Sequence, residues 1–162
     1  MTIISNTSPI TNLAGIEKLD LLHQLYGTIT IPQAVYNEMA AIGKTVPGTL
    51  EVQTLPWIAT QTVTDGNQAT ALRAILDQGE AEAITLALEL NAELLIIDER
   101  PGRVIARQYD INITGVLGVL VEAKRQGLII AVKPLMDQLI NEVEFWISRP
   151  VYETILQSAY ES

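Results

Sequence analysis

The chain has 162 residues, with 19 acidic against 10 basic side chains and a net charge of −9, a length that buries a core without disulfides or structural metal. It has no cysteine, which excludes thiolate zinc sites, iron–sulfur clusters and cysteine nucleophiles and leaves no disulfide argument for secretion. The negative field repels nucleic acid and anionic membranes, so a polyanion must bind through a local basic patch or bridging cations.

Residues 1–6 hold no basic region, and no later stretch of ~18 apolar residues is long enough to span a bilayer. A soluble, unprocessed, cytoplasmic protein with no membrane association is expected. Ile3-Ile4-Ser5 reads as a short strand, and Asn6-Thr7-Ser8-Pro9 carries the cap and first-turn signals of a helix. Leucines and isoleucines continue at helical spacing to Leu25, with Gly15 dividing them into two helices. Thr28 to Ile31 is β-branched throughout, and Pro32 stops that strand and opens a helix through Met39.

Residues 43–67 are the least regular, punctuated by Gly43, Pro47, Gly48, Pro56 and Gly66, with room for an extra strand between Leu55 and Val63. A helix is expected from Asn67 to near Gly79, and another, apolar on nearly all sides, from Glu80 to Leu90. Leu94-Leu95-Ile96-Ile97 has the continuous apolar character of a parallel strand covered on both faces. It ends at Asp98. Helix over 101–109, strand over 111–114 and helix over 116–125 follow, then two helices over 134–143 and 151–160.

Alternating strands and helices predict a three-layer α/β/α sandwich around a mainly parallel central sheet. One domain over 1–162 is expected, with a core over about 1–127 and a helical extension over about 128–162. Ligands of such sheets collect beyond the carboxyl ends of the strands, where Asn6, Asp98 and Thr114 lie.

Polar stations at this edge suggest a site for a hard cation with oxygen ligands. Helical phase separates two neighbouring glutamates: Glu80 shares a face with Ile84, Ala87 and Leu88, whereas Glu82 falls with Thr85 and Glu89 on a solvated stripe. Glu38 falls with Ala34 and Val35, an apolar face on which a carboxylate needs a metal or a salt bridge. Asp98 is read either as a ligand or as a simple helix cap, Asn6 as ligand or turn residue, and Ser8 as a hydroxyl of the site or a cap. Arg103, with Arg100 and Arg107, and the pair Lys124 and Arg125 are candidate phosphate contacts, or cations on solvated faces. His23 is the only histidine, which excludes His-based metal triads. The absence of any acid from residues 1–15 argues against aspartyl phosphorylation of receiver type, while an α/β domain whose acids are only caps remains the plainest competitor.

Ser5-Asn6-Thr7-Ser8-Pro9, Ile31-Pro32 with Val35-Tyr36-Asn37-Glu38, Gly79-Glu80-Ala81-Glu82 and Leu95-Ile96-Ile97-Asp98-Glu99-Arg100 with Gly102-Arg103 resemble a PIN domain, the fold of VapC-type toxins and several RNA-processing nucleases. The resemblance implies a Mg²⁺- or Mn²⁺-dependent ribonuclease, the toxin of a toxin–antitoxin pair, leaving 3′-hydroxyl and 5′-phosphate ends. It implies metal ligands at Asn6, Glu38, Glu80 and Asp98, with Ser8 beside them. Glu82 and Glu99 are the alternative acids. It also implies an RNA substrate, a small cognate antitoxin and a homodimer. Asn6 stands where the family carries an aspartate, so the second reading is a catalytically weak PIN-like module that binds protein or RNA.

Overall fold

The computed structural model describes residues 1–41 and 45–162; Gly43, one of the punctuating residues named above, lies outside them. In chain order the elements are β1 (Ile3–Ser5), α1 (Thr7–Gly15), α2 (Asp20–Tyr26), β2 (Ile29–Pro32), α3 (Gln33–Met39), α4 (Thr49–Thr54), β3 (Ile58–Gln61), α5 (Gly66–Leu72), α6 (Gln78–Glu89), β4 (Leu94–Ile96), α7 (Arg100–Gln108), β5 (Ile113–Thr114), α8 (Val116–Arg125), α9 (Lys133–Glu142) and α10 (Arg149–Ser158).

Among the described residues five strands form one sheet in the order β3-β2-β1-β4-β5, and its pairings are parallel. Ile4 lies opposite Thr30 on one side and Leu95 on the other. Because side chains alternate along a strand, the sheet divides two cores. Ile3, Ile29, Ile31 and Ile96 face one core with Leu13, Leu22, Leu120 and Met136; Ile4, Leu95 and Ile97 face the other with Leu72, Ile84 and Ala106. Helices therefore cover both faces in a three-layer α/β/α sandwich. The winding reverses between β1 and β4, which opens a crevice at their carboxyl ends.

Two expectations about the helices need correction. The run expected from Asn67 to Gly79 breaks, because α5 ends at Leu72 and the Asp77 carboxylate accepts from the Glu80 amide at 2.8 Å to start α6 anew. Apolar spacing at Leu72, Ile75 and Leu76 imitated a continuous helix, yet Ile75 is 62 % exposed. Along α6, Thr85 is buried and its Oγ1 donates to the Ala81 carbonyl, whereas Leu88 is exposed. A helix packed on the sheet and between neighbouring helices buries more than one stripe, so phase alone assigned both residues to the wrong side.

Beyond α8 the chain folds back on the first core through Leu135, Met136, Leu139 and Ala159. Glu161 anchors this return by accepting from the Val132 and Lys133 amides and pairing with Lys124. No helix among the described residues is long and apolar enough to cross a membrane.

Candidate functional site

At the end of β1, Asn6 donates its backbone N–H to the Ile96 carbonyl at 3.0 Å, which fixes it beside β4. It occupies the N-cap position of α1, but its side chain makes no capping bond. That buried side chain instead reaches toward α6. A Cβ on Gly79 would lie 3.3 Å from Asn6 Oδ1 and 3.4 Å from Glu38 Oε2, so the absent side chain at 79 lets the two oxygens converge. Glu38 is exposed on the last turn of α3 rather than buried on its apolar face, and it accepts from Thr7 Oγ1 at 3.0 Å. The expected burial fails because the short α3 turns its Val35 and Met39 inward and leaves Glu38 facing the crevice.

Glu80, at the first turn of α6, is only 3 % exposed, and its Oε2 has no hydrogen-bond partner among the described residues. Oxygens of Asp77, Glu80 and Glu99 lie within 4.8 Å of one another. Opposite ligands of an ion with ~2.1 Å bonds stand ~4.2 Å apart, so the cluster needs only a small contraction to share one hard cation. Burial first, then the Asp77 carboxylate and Glu99, push the Glu80 carboxyl up from 4.5 to about 7. Burial, Asp77 and Glu38 raise Glu99 as well. Four carboxylates thus crowd one crevice at a cost that a cation relieves. An all-oxygen donor set with one buried, partnerless oxygen fits Mg²⁺ or Mn²⁺.

Asp98 turns the other way. Its Oδ1 accepts from the Val116 amide at 2.9 Å, capping α8, while Oδ2 is buried without a partner among the described residues. Burial raises its carboxyl to about 6, against the pull of the Val116 amide and Arg103. Arg103 donates to the Ile97 carbonyl at 2.8 Å on the same side. The structure therefore brings Glu99, not Asp98, to Glu80 and Asp77.

Glu82 accepts from the Ala34 amide and Gln78, holding α3 against α6 outside the cluster. Ser8 accepts from Asn12 Nδ2 at 3.1 Å and shares a cavity of about 240 Å³ with Thr7, Thr11, Glu38 and Glu99. Lys124 and Arg125 sit at the far end of α8, tied to Glu161 and Glu122 respectively, away from the carboxyl edge. His23 stacks on Trp57 with ring centroids 5.1 Å apart.

Sequence reasoning missed Asp77 and named Gly79 and Gly102 only as motif positions, without a role. The signal for Asp77 was present as Asp-x-x-Glu, a cap followed three residues later by an acid. Gly102 matters by contact: a Cβ there would meet Glu80 Oε2 at 2.7 Å and Ile97 Cδ1 at 2.6 Å. Gly102→Ala should push Glu80 out of position, costing about 1–3 kcal/mol and the stabilisation by Mn²⁺; thermal melts with and without the ion measure both.

The raised carboxyls also set a pH dependence. Glu80 in the folded chain titrates above its unfolded value, so its contribution to stability is full below 4.5, declines with rising pH and is exhausted above about 7. Asp98 acts in the same direction between 3.8 and about 6. A shift of this size is worth about 3 kcal/mol for Glu80 at full desolvation, reduced to roughly 1–2 kcal/mol by solvent around its exposed partners. The metal-free melting temperature should therefore be lower at pH 8 than at pH 5 by about 3–6 °C, and Mn²⁺ at pH 8 should recover most of the difference.

A solved structure of a PilT N-terminus domain protein from the hyperthermophilic archaeon Sulfolobus solfataricus is similar in fold, with a TM-score of 0.54 and 20 % identity over 76 % of this chain and 93 % of that one. No curated protein matches the chain. A family model described as a PIN domain matches residues 2–161. With a nuclease-type fold and an acidic cluster at the switch point of its sheet, the chain belongs to the PIN domain family.

Proposed function

We propose that this protein is a divalent-metal-dependent endoribonuclease, the toxin half of a toxin–antitoxin pair. The observation that carries the reading is Glu80: a buried, partnerless carboxylate oxygen between Asp77 and Glu99. Asp77, Glu80 and Glu99 would hold Mg²⁺ or Mn²⁺, with Glu38 and Asn6 converging beside Gly79 at the same helix start. When bound, such an ion neutralises charge on a phosphodiester and makes water a better nucleophile.

The remaining work falls to the chain itself. Asn6 contributes an amide oxygen without charge, and Asp77 supplies the negative charge that an aspartate at position 6 would have brought. Glu38, steadied by Thr7, is exposed at the crevice and free to take a proton from the attacking water. Ser8 lines the adjoining cavity, and because its oxygen only accepts from Asn12, its hydroxyl can donate to a phosphate oxygen. Arg103 supplies the local cation that a chain of net charge −9 requires for a polyanion.

Labelled single-stranded RNA incubated with Mn²⁺ tests this reading. The wild type should produce 5′-phosphorylated fragments and Glu99→Gln should not. Equal RNA loss with both proteins removes the enzyme reading. Binding of RNA without cleavage by the wild type selects the second reading, a PIN-like binding module in which the neutral Asn6 has cost the site its chemistry. The toxin role predicts growth arrest on cytoplasmic expression, relieved by Glu99→Gln and by co-expression of a small cognate antitoxin; a homodimer is expected in solution.

A further inference from the structure

A second cavity, of about 470 Å³, opens at the carboxyl end of β5. Its floor is the start of α8, where the missing side chains of Gly115 and Gly118 make room for Asp98 and Thr114: a Cβ on Gly115 would collide with Asp98 Oδ1, and one on Gly118 with Thr114 Oγ1. Arg103 forms one wall, with one guanidinium N–H spent on the Ile97 carbonyl. The opposite wall comes from the C-terminal extension and includes Ile147, Val151 and Trp146, the last 82 % exposed.

The two cavities share a partition. Asp98 and Glu99 are consecutive, ~3.8 Å apart at Cα, yet Glu99 lines the acidic cavity and Asp98 this one. A single strand with a phosphate at the acidic cluster therefore reaches the second cavity by its next nucleotides, passing Arg103. An exposed indole lining a cavity with Leu117, Phe145 and Ile147 offers a stacking platform, and stacking on it tolerates any base. Arg103 and Asp98 both line the cavity, and the guanidinium has N–H groups beyond the one given to Ile97 that can meet a phosphate oxygen where the strand continues from the acidic cluster.

Resting on the nuclease reading above, we infer that this cavity is a nucleobase subsite: Trp146 stacks a base neighbouring the phosphate held at the acidic cluster, and Arg103 meets the phosphate between them. The chain has two tryptophans, so Trp57→Phe leaves Trp146 as the sole reporter. Its emission should be quenched, to saturation, by an RNA pentamer with Ca²⁺ as the cation. In the wild-type background, Trp146→Ala should weaken pentamer binding about tenfold, and a pentamer abasic at the stacked position should bind the wild type equally weakly. Equal affinity of the intact pentamer for wild type and Trp146→Ala overturns the subsite while leaving the nuclease reading in place. Absence of RNA binding by any version removes both. Trp146 emission that shifts with protein concentration alone assigns the groove to a second copy of the chain, and also overturns the proposal.

Discussion

Glu80→Gln is expected to yield a metal-free protein more stable than the wild type at pH 8, and one that neither gains stability from Mn²⁺ nor cleaves RNA. The wild-type carboxyl titrates at about 7 because it is buried beside Asp77 and Glu99, so at pH 8 it is ionised in a place that disfavours charge. A glutamine stays neutral and can donate its amide N–H to the Asp77 carboxylate. Removing the buried charge should raise stability by roughly 1–2 kcal/mol at pH 8, with no gain at pH 4, where both carboxyl states are protonated. Cleavage should fall on the order of 10²-fold or more, the scale for losing one preorganised electrostatic group. Stability rising as function falls is the mark of a site that stores unfavourable charge for a cation. A Glu80→Gln protein that melts below the wild type at pH 8 would mean that the carboxylate is a structural hydrogen-bond partner instead.

The second large effect separates two adjacent acids. Glu99→Gln should abolish stabilisation by Mn²⁺ and lower cleavage on the order of 10²-fold, with little change in metal-free stability because Glu99 is exposed. Asp98→Ala should do the reverse. It removes the acceptor for the Val116 amide and the counter-charge of the half-buried Arg103, costing about 1–3 kcal/mol, but Mn²⁺ should still raise its melting temperature. Loss of the Mn²⁺ response in Asp98→Ala and its survival in Glu99→Gln would exchange their roles. Melts of both variants at one pH, with and without the ion, decide the matter.

The contrast between these two acids marks where the sequence stops being legible. The parallel sheet and the carboxyl-edge location of Asn6 and residues 98–99 followed from apolar runs and the parallel βαβ rule, because burial on both faces leaves a strong pattern at Ile3-Ile4 and Leu94 to Ile97. Helical phase selected Glu80 over Glu82, and the buried Glu80 agrees with it. Phase did not reach the loop after β4, where two residues point to opposite sides and spacing carries no information about which. Asp77 was hidden for a related reason: Leu72, Ile75 and Leu76 carried the expected helix on to Gly79, past the position where Asp77 caps the start of α6. Glu38 was misjudged because its helix is short, so a neighbour on the apolar face can still overhang the crevice. Gly79 and Gly102 act through what they leave out, and that is visible only once Asn6, Glu38 and Glu80 have been brought against them.

All of these expectations depend on whether the carboxylates of the crevice share a cation. Calorimetric titration of the metal-free protein with Mn²⁺ at pH 8 tests this directly, with Glu80→Gln as the reference. Saturable binding by the wild type that is lost in Glu80→Gln is the predicted result. No binding at millimolar Mn²⁺, or equal binding by both proteins, would contradict the account.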